Sequence, residues 1–311
     1  MSSLIEQAAQ RLEQLRKAGI VLPDPTPPPS LVQAVDGAAA VHAFEVAPVA
    51  QKPPVVPPAM SKHVELNLDA LAGIGIVTPD APRSQMADQY RVIKRPLIAN
   101  AMGKGTPLQK HGNLIMVTSA LAGEGKSYTS VNLAISIAAE MDNTVMLVDA
   151  DVARPSLLRM LNLPPSRGLL DLLEGRADMS SVLLRTSIDK LTILPSGSPH
   201  PRATELLASD AMRLLLEDMA QRYADRIIIF DSPPLLLTTE ARVLASQMGQ
   251  VVMVVQAERT SRADVQHALS TIESCPVRLM VLNLARANNV GGYGGRYEYG
   301  YGYMQEQPVT G

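Results

Sequence analysis

Residues 114–129 combine residue types at a spacing that can bind phosphate. An apolar run, which reads as a buried strand, leads into a glycine-rich turn, and Lys126, Ser127 and a helix-like segment follow. In such a turn successive backbone N–H groups face a phosphate, because glycine lets the chain approach it closely. Lys126 can reach the β- and γ-phosphates of a nucleotide, and Ser127 can ligate Mg²⁺. This order is that of a P-loop, and it predicts a nucleotide site formed by Ala122, Gly123, Glu124, Gly125, Lys126, Ser127 and Tyr128.

Acidic residues end two of the apolar runs farther along the chain. Asp149 and Asp151 follow one run, and Asp231 follows another and precedes two prolines. Positions i and i+2 of a strand point the same way, so Asp149 and Asp151 would aim two carboxylates at one place. Such carboxylates repel each other unless a cation or a proton intervenes. We therefore predict that Lys126, Asp149, Asp151 and Asp231 are catalytic and that Ser127, Asp149 and Asp231 contact the metal. Whether Asp149 or Asp151 is the base stays open.

Residues 288–303 alternate glycine with tyrosine. Five of the eight tyrosines fall here, and the pattern makes neither a helix face nor a core. One interpretation is a low-complexity tail or a stacking surface for bases. The functional interpretation is a flexible phosphoacceptor tail, in which each phosphate would add about −1.5 to −2 charges at pH 7. The candidate acceptors are Tyr293, Tyr297, Tyr299, Tyr301 and Tyr303.

We expect a β-sheet to position these residues. From residue 114 onward, apolar runs that resemble strands alternate with helical stretches. Continuous Val, Ile and Leu runs are typical of strands buried on both faces. The alternation predicts an α/β fold with a doubly wound, mostly parallel sheet of the P-loop NTPase type, which binds ligands at the C-terminal strand ends. The predicted strands are 114–118, 144–148, 191–194, 226–230, 250–255 and 279–282, and the predicted helical stretches lie near 128–140, 155–185, 203–223, 238–247 and 261–274.

The chain outside this domain divides into segments by composition. Residues 1–20 predict an amphipathic helix, and residues 21–60 hold ten of the 24 prolines and predict an extended, disordered linker. Residues 61–100 read as a helical docking or oligomerisation segment. The P-loop domain then covers 101–287, and the Gly/Tyr-rich tail covers 288–311.

A charged helix is predicted at 84–100, halted near Pro96. Asp88, Arg91 and Lys94 lie three apart, so they would share one helix face. A solvated charged face is one interpretation, and a contact between subunits is the other.

A short motif recurs 56 residues along the chain. Both copies end in Gly-Ile-Val-x-Pro-Asp, and they suggest two similar docking elements, although two copies can also arise by coincidence. Leu12, Leu15, Gly19, Ile20, Val21, Pro23 and Asp24 recur as Leu68, Leu71, Gly75, Ile76, Val77, Pro79 and Asp80.

The overall composition narrows the class of protein. A hydrophobic content of 46% supports a real core in a chain of 311 residues. The net charge of −2 gives no reason to expect binding to nucleic acid. The single cysteine, Cys275, excludes an internal disulfide framework. No apolar stretch reaches the roughly 18 to 20 residues that span a bilayer. We therefore expect a cytoplasmic protein whose membrane association goes through a partner.

With these residues in view, the chain resembles the bacterial tyrosine kinases, which are P-loop autokinases unrelated to the eukaryotic kinase fold. It looks most like the branch found in exosortase-linked exopolysaccharide loci, and the resemblance covers roughly residues 83–303. The Walker A motif would be 120–127, with Ala120 in place of the first glycine, and Asp149 and Asp151 would be the Walker A′ motif. Asp231, with Pro233 and Pro234, would be the Walker B motif, and the tail tyrosines would be the family's tyrosine cluster.

Two motifs depart from the family pattern. Asp88, Arg91 and Lys94 match the Glu-x-x-Arg-x-x-Arg oligomerisation helix only conservatively. The family's Asp-x-Asp-x-Arg places an arginine at position 153, where this chain has Ala153 and carries Arg154 one residue later.

The resemblance implies ATP and Mg²⁺ as cofactors and autophosphorylation on tyrosine in trans, between neighbours in a homo-oligomeric ring. It implies regulation of exopolysaccharide synthesis and export, with a membrane-anchored polysaccharide co-polymerase as a separate activator. A tyrosine phosphatase is expected as a further partner. The protein would then be recruited to the inner face of the cell membrane.

Two other functions fit the P-loop. One is a switch ATPase of the partitioning and division-site type, which carries an extra lysine five residues before the invariant one, where this chain has Leu121. Such an ATPase also has no use for a tyrosine tail. The other is an adaptor that binds nucleotide without kinase activity, against which the intact Lys126, Asp149, Asp151 and Asp231 argue.

Overall fold

The computed structural model of the chain describes residues 61–79, 84–104 and 109–285. The predicted N-terminal helix and linker and the tail tyrosines lie outside these residues. Among the helices of the described part, none has the length and apolarity that a bilayer crossing requires.

The described residues build one eight-stranded sheet flanked by helices. The strands are β1 (Lys62–Val64), β2 (Leu114–Ser119), β3 (Thr144–Asp149), β4 (Leu184–Thr186), β5 (Leu191–Leu194), β6 (Arg226–Asp231), β7 (Gln250–Gln256) and β8 (Val277–Asn283). Their order across the sheet is β1-β4-β5-β3-β6-β2-β7-β8. Every neighbouring pair is parallel except β4 and β5, which are antiparallel. The predicted α/β class and mostly parallel sheet are confirmed.

The helices that cover the sheet vary widely in length. They are α1 (Leu68–Gly73), α2 (Gln85–Met102), α3 (Lys126–Ala138), α4 (Leu157–Met160), α5 (Leu169–Leu173), α6 (Met179–Val182), α7 (Ala203–Leu207), α8 (Asp210–Arg222), α9 (Thr239–Ala245) and α10 (Arg262–Ser270). Two clusters of buried apolar side chains lie between these helices and the sheet. Residues of β2 alternate between the clusters, so this central strand is buried on both faces, as its continuous apolar run predicts.

The edge strand β8 is not buried on both faces, although its apolar run predicts that it would be. Its residues alternate between partial burial and exposure, and Met280 and Leu282 are 60% and 63% exposed. The apolar run of β8 therefore leaves large apolar side chains exposed, on a strand that pairs only with β7 among the described residues.

The predicted helical stretch 155–185 is wrong as a single element. It breaks into three short helices, α4 to α6, and ends in β4. Pro164, Pro165 and Gly168 separate α4 from α5, and Gly175 with a positive φ of 68° follows α5. Proline lacks the helical N–H donor and glycine readily leaves the helical region, so the stretch cannot continue as one helix. The predicted stretch 203–223 likewise divides into α7 and α8.

Helix α2 continues through Pro96, where we expected it to stop. It runs to Met102, and Gly103 ends it with a φ of 61°. Pro96 has no N–H to donate to the carbonyl of Val92, four residues before it. Val92 is 73% exposed, so water can take the place of the missing donor.

The three charged residues of α2 do not share one environment. Asp88 and Arg91 form an exposed ion pair, whereas Lys94 is buried. The Lys94 ammonium lies 2.7 Å from Glu140 Oε1 and donates to the carbonyl of Ser136, at the end of α3. Lys94 therefore connects α2 to α3 within the chain, and the subunit contact expected of Asp88, Arg91 and Lys94 stays a prediction.

Candidate active site

The loop between β2 and α3 has the backbone that a phosphate-binding turn requires. Gly123 and Gly125 have φ values of +87° and +93°, a region that side-chain-bearing residues rarely adopt. A Cβ on Gly125 would also lie 2.1 Å from Nδ2 of Asn283, whereas one on Gly123 would meet open space. Gly125 ends the turn as the residue before α3, so Lys126 and Ser127 begin a helix whose N-terminus carries partial positive charge.

Hydrogen bonds to the side chain and the carbonyl of Glu124 hold this loop in place. Its side chain is buried, and its Oε2 accepts a 2.6 Å hydrogen bond from the N–H of Leu121. Its Oε1 accepts from the N–H of Gln256 and from the hydroxyl of Thr260, beyond β7. The carbonyl of Glu124 accepts from Asn283 Nδ2 at 2.9 Å. The loop is thus fixed to the ends of β7 and β8, and the Glu124 side chain is not available to a nucleotide.

Lys126 and Asp151 form an ion pair at the start of α3. Lys126 Nζ lies 2.7 Å from Asp151 Oδ2, and both side chains are largely buried. Asp151 follows β3, and its other oxygen accepts from the N–H of Arg154. A phosphate could replace the Asp151 carboxylate as the partner of Lys126, because both are anionic acceptors for the same ammonium.

Asp149 and Asp231 occupy paired positions at the ends of the neighbouring strands β3 and β6. Asp149 Oδ2 accepts from the N–H groups of Ser156 and Leu157 at 3.2 and 3.1 Å, and Asp231 Oδ1 accepts from the hydroxyl of Ser130 at 3.1 Å. Asp149 Oδ1 and Asp231 Oδ2 are buried and have no partner in the described part of the chain. Two buried oxygens without donors are costly unless a proton or a cation satisfies them.

The electrostatics of the pair favour protonation in the absence of a cation. Burial and the neighbouring Asp231 raise the pKa of Asp149 to about 7, against the two backbone N–H groups that lower it. Burial also raises the pKa of Asp231 to about 6, and the Lys126 ammonium opposes that rise.

Ser127 and Ser130 connect α3 to the acidic residues. Ser127 Oγ lies 2.9 Å from the hydroxyl of Ser156, which follows the turn after β3. Ser130, one helical turn after Lys126, places its hydroxyl against Asp231. Sequence reasoning missed Ser130 and Ser156. The i+4 spacing from Lys126 could have indicated Ser130, whereas no local pattern indicates Ser156.

A cavity of about 600 Å³ opens beside these residues. Its charged members are Lys126, Asp151, Arg154 and Arg159. Arg154 lines this cavity although it stands one position later than the family pattern. The other lining residues are Ala122, Gly123, Gly125, Ser127, Tyr128, Ala153, Ser156, Met160, Pro233, Pro234, Leu237 and Thr238.

The acidic residues fit a divalent cation. Within residues 61–79, 84–104 and 109–285 no three acidic, histidine or cysteine side chains stand close enough to hold a metal by themselves. A Mg²⁺ ion here would therefore take further oxygens from Ser127 and from nucleotide phosphates, as is usual for this metal. The unpartnered oxygens of Asp149 and Asp231 are the protein groups that such an ion would satisfy.

The structure brings most of the predicted site residues together. Asp149, Asp151 and Asp231 lie at adjoining strand ends around the start of α3, and Lys126 and Tyr128 line the cavity with most of the P-loop. Asn283, at the end of β8, donates to the carbonyl of Glu124 in the loop. The predicted phosphoacceptors lie outside the described residues.

Leu121 has a structural role in the loop. Its side chain is half-buried and packs against one of the two clusters of buried apolar side chains. Its carbonyl accepts from the hydroxyl of Ser119 at 2.6 Å. An apolar side chain that packs on the core therefore occupies the position at which switch ATPases carry their additional lysine.

Comparison with known proteins agrees with this geometry. Residues 110–289 match the model of the ParA family, described as NUBPL iron-transfer P-loop NTPase. The tyrosine-protein kinase CpsD of Streptococcus agalactiae is 32% identical over 193 residues, covering 61% of this chain and 83% of that protein. The succinoglycan biosynthesis transport protein ExoP of Rhizobium meliloti is 33% identical over 75% of this chain, which spans only 30% of that protein. Among solved structures, the chimeric protein CapA2B2 has a TM-score of 0.55 and 27% identity, covering 68% of this chain and 97% of that one.

A P-loop NTPase domain with paired aspartates at two strand ends defines the general class of this protein. The chain belongs to the ParA-type P-loop NTPases and, within that class, to the bacterial tyrosine-protein kinases. Its relatives include proteins of exopolysaccharide biosynthesis.

Proposed function

We propose that this protein is an ATP-dependent tyrosine autokinase that phosphorylates its own C-terminal tyrosine cluster. The observation that carries the proposal is the convergence of Lys126, Asp149, Asp151 and Asp231 beside one cavity at the P-loop. Family membership supplies the second support, because the matched relative CpsD is named a tyrosine-protein kinase.

The reaction would transfer the γ-phosphoryl group of ATP to a tyrosine hydroxyl. The phenolic oxygen would form a bond to the γ-phosphorus while the bond from that phosphorus to the bridging oxygen of ADP breaks. Bound Mg²⁺ would neutralise the charge that builds on the phosphate oxygens. Lys126 would hold the β- and γ-phosphates, and an ionised Asp149 or Asp151 would accept the phenolic proton.

The ion pair of Lys126 with Asp151 suggests how nucleotide would change the site. When a phosphate takes over the Lys126 ammonium, Asp151 loses its only charged partner in the described residues. Its carboxylate is then free to accept a proton. This favours Asp151 over Asp149, which is held by two backbone N–H groups, as the base.

The physiological role would be the regulation of exopolysaccharide synthesis and export. The relatives' names support that setting, since one is a succinoglycan biosynthesis transport protein. We include in this proposal a membrane-anchored polysaccharide co-polymerase as activator, recruitment to the inner face of the membrane, trans-phosphorylation in a ring and reversal by a tyrosine phosphatase.

The decisive experiment supplies the full chain with γ-labelled ATP and Mg²⁺, with and without the cytoplasmic segment of its activator. Phosphates are then mapped by mass spectrometry. We expect label on tyrosines between 293 and 303, and we expect Lys126→Ala to remove it. Lys110→Ala, which removes an exposed lysine outside the cavity, should retain it.

Two results would redirect the interpretation. Hydrolysis of ATP without any labelled tyrosine, even with the activator, would favour the switch-ATPase alternative. Unchanged labelling after truncation at residue 290 would move the acceptor elsewhere while leaving the kinase activity in place.

A further inference from the structure

The cavity beside the P-loop carries positive charge that its own residues do not neutralise. Four charged side chains line it, namely Lys126, Asp151, Arg154 and Arg159. Lys126 pairs with Asp151, whereas no carboxylate within residues 61–79, 84–104 and 109–285 pairs with the guanidinium of Arg154 or Arg159. The cavity therefore offers two arginine side chains to an anionic ligand.

Both arginines belong to one short segment that follows β3 and is tied to the aspartates. The N–H of Arg154 donates to Asp151 Oδ1 at 3.2 Å. Arg159 lies on α4, whose first residue, Leu157, donates its N–H to Asp149 Oδ2 at 3.1 Å. The backbone thus fixes the origin of each arginine beside the proposed base, while the side chains themselves are exposed.

The order of the strands separates this segment from the nucleotide phosphates. The P-loop follows β2, the segment with the arginines follows β3, and β6 lies between these two strands in the sheet. In the proposed reaction Lys126 holds the phosphates and Asp151 accepts the phenolic proton, so the acceptor has to contact Asp151. The residues that follow Asp151 along the chain are the ones that carry the arginines.

The same cavity has apolar side chains that suit an aromatic ring. Met160 follows Arg159 on α4, and Pro234 and Leu237 belong to the loop after β6. Leu237 is 59% exposed although its side chain is large and apolar. A tyrosine ring that packed here would cover this surface and leave the flanking residues of its peptide within reach of the arginines.

We propose, building on the kinase function proposed above, that Arg154 and Arg159 select the acceptor by binding an anionic side chain next to its tyrosine. The substrate class is then a peptide with a carboxylate or a phosphotyrosine beside the acceptor tyrosine. Both anions accept paired hydrogen bonds from a guanidinium. The two arginines determine specificity, and Asp151 remains the group that takes the proton.

Peptide binding to the full chain tests the proposal without relying on phosphoryl transfer. Two fluorescent peptides differ only in the residues that flank one tyrosine, Glu-Tyr-Glu in the first and Gln-Tyr-Gln in the second. Fluorescence anisotropy is measured at low ionic strength, with Mg²⁺ and a saturating non-hydrolysable ATP analogue. We expect the acidic peptide to bind about tenfold more tightly, because each exposed charge pair contributes up to about fivefold.

Substitutions identify the residues responsible. Arg154→Ala and Arg159→Ala should each weaken binding of the acidic peptide about threefold to fivefold and leave the Gln-Tyr-Gln peptide unaffected. Arg167→Ala removes an exposed arginine that does not line the cavity, and it should bind both peptides as the wild type does. Arg159→Glu should bind a Lys-Tyr-Lys peptide more tightly than the wild type does, a gain that an unfolded protein cannot produce.

A third peptide separates the two anions. It carries Gln-Tyr-Gln next to a phosphotyrosine. Tighter binding than that of Glu-Tyr-Glu would identify an already phosphorylated chain as the preferred substrate, and weaker binding would identify an acidic sequence.

Equal affinity of the wild type for the Glu-Tyr-Glu and Gln-Tyr-Gln peptides would overturn the proposal. So would binding of the acidic peptide that neither alanine substitution weakens. An affinity for the ATP analogue that falls about tenfold in Arg154→Ala or Arg159→Ala would assign these arginines to the nucleotide instead.

These outcomes are separate from a failure of the kinase function. Tyrosine labelling by γ-labelled ATP would persist if the arginines did not select the acceptor. Conversely, ATP hydrolysis without labelled tyrosine would remove the kinase function whichever peptide bound more tightly.

Discussion

Asp149 and Asp231 pair at the ends of adjacent parallel strands, and each keeps one buried carboxylate oxygen to which no group in the described residues donates. The backbone holds them side by side, because the N–H of Ala150 donates to the carbonyl of Asp231 at 2.8 Å. The free energy of the folded state therefore depends on whether the pair holds a proton, because two buried carboxylates destabilise each other when both are ionised.

The first prediction concerns stability against pH. The folded pKa values of about 7 and about 6 lie above the unfolded value of 3.8, so the folded state holds more protons between these limits. The free energy of unfolding of the metal-free chain should therefore fall as pH rises from about 4 to about 7. Asp149→Asn should be more stable than the wild type by about 1 kcal/mol or more at pH 8, and equal to it near pH 4.

Urea unfolding at a series of pH values measures this difference. Asp225→Asn, which changes an exposed aspartate, serves as the control and should follow the wild type throughout. A wild-type stability that increases between pH 5 and pH 8 would contradict the raised pKa values.

The second prediction concerns proton release on metal binding. Because a cation needs ionised carboxylates, Mg²⁺–nucleotide should displace the proton that Asp149 and Asp231 retain near pH 6.5. Calorimetric titrations in phosphate and in Tris buffer should then give different heats. The number of protons released should be smaller in Asp149→Asn, whereas identical proton counts in the two proteins would exclude the pair as the source.

The third prediction separates the two glycines of the loop. Both have positive φ, but only Gly125 lies against another side chain. Gly123→Ala should lower the free energy of unfolding of the nucleotide-free chain by about 1 kcal/mol, the usual cost of the left-handed region. Gly125→Ala should lower it by about 2 to 4 kcal/mol, because its new methyl group also meets Asn283.

A double-mutant cycle checks the cause. Adding Asn283→Ala to Gly125→Ala removes the obstructing amide and should recover part of the loss, while adding it to Gly123→Ala should not. Equal losses for the two glycine variants would show that the approach of Asn283 costs nothing.

The fourth prediction distinguishes stability from assembly on α2. Lys94→Met removes a buried ammonium that pairs with Glu140 and donates to Ser136, so it should lower the free energy of unfolding by about 1 to 3 kcal/mol. Arg91→Ala breaks only an exposed pair and should change it by less than about 1 kcal/mol. If α2 mediates subunit contacts, Arg91→Ala should instead shift the sedimentation coefficient toward the monomer.

These two variants also test each other. A loss of assembly in Lys94→Met at unchanged stability would mean that this lysine reaches a neighbouring subunit after all. Unchanged sedimentation of Arg91→Ala under conditions where the wild type assembles would remove Arg91 from the interface.

The sequence was sufficient for the centre of the fold. Strands β2, β3 and β6 are long apolar runs with an acidic or glycine-rich end, and those two local features together specify a parallel strand and its ligand-binding edge. Lys126 and Asp231 could be placed from the same reasoning, since a P-loop constrains both the strand before it and the helix after it.

The periphery depended on contacts that no local pattern contains. Strands β1 and β4 have three residues each, too few for a periodicity, and β4 is defined by its antiparallel pairing with β5. The burial of Lys94 depends on Glu140 and the carbonyl of Ser136, which are more than forty residues away. Arg154 reaches the cavity wall because of the turn after β3, whose path cannot be derived from the spacing alone.

The buried side chain of Glu124 has a thermodynamic consequence for ligand binding. Its hydrogen bonds to Leu121, Gln256 and Thr260 hold the loop in one shape before any phosphate arrives. The loop therefore loses its conformational entropy when the chain folds, and that loss does not weaken the affinity for nucleotide. Nucleotide should accordingly enter a rigid receptor, with an association rate limited by access to the cavity and not by rearrangement of the loop.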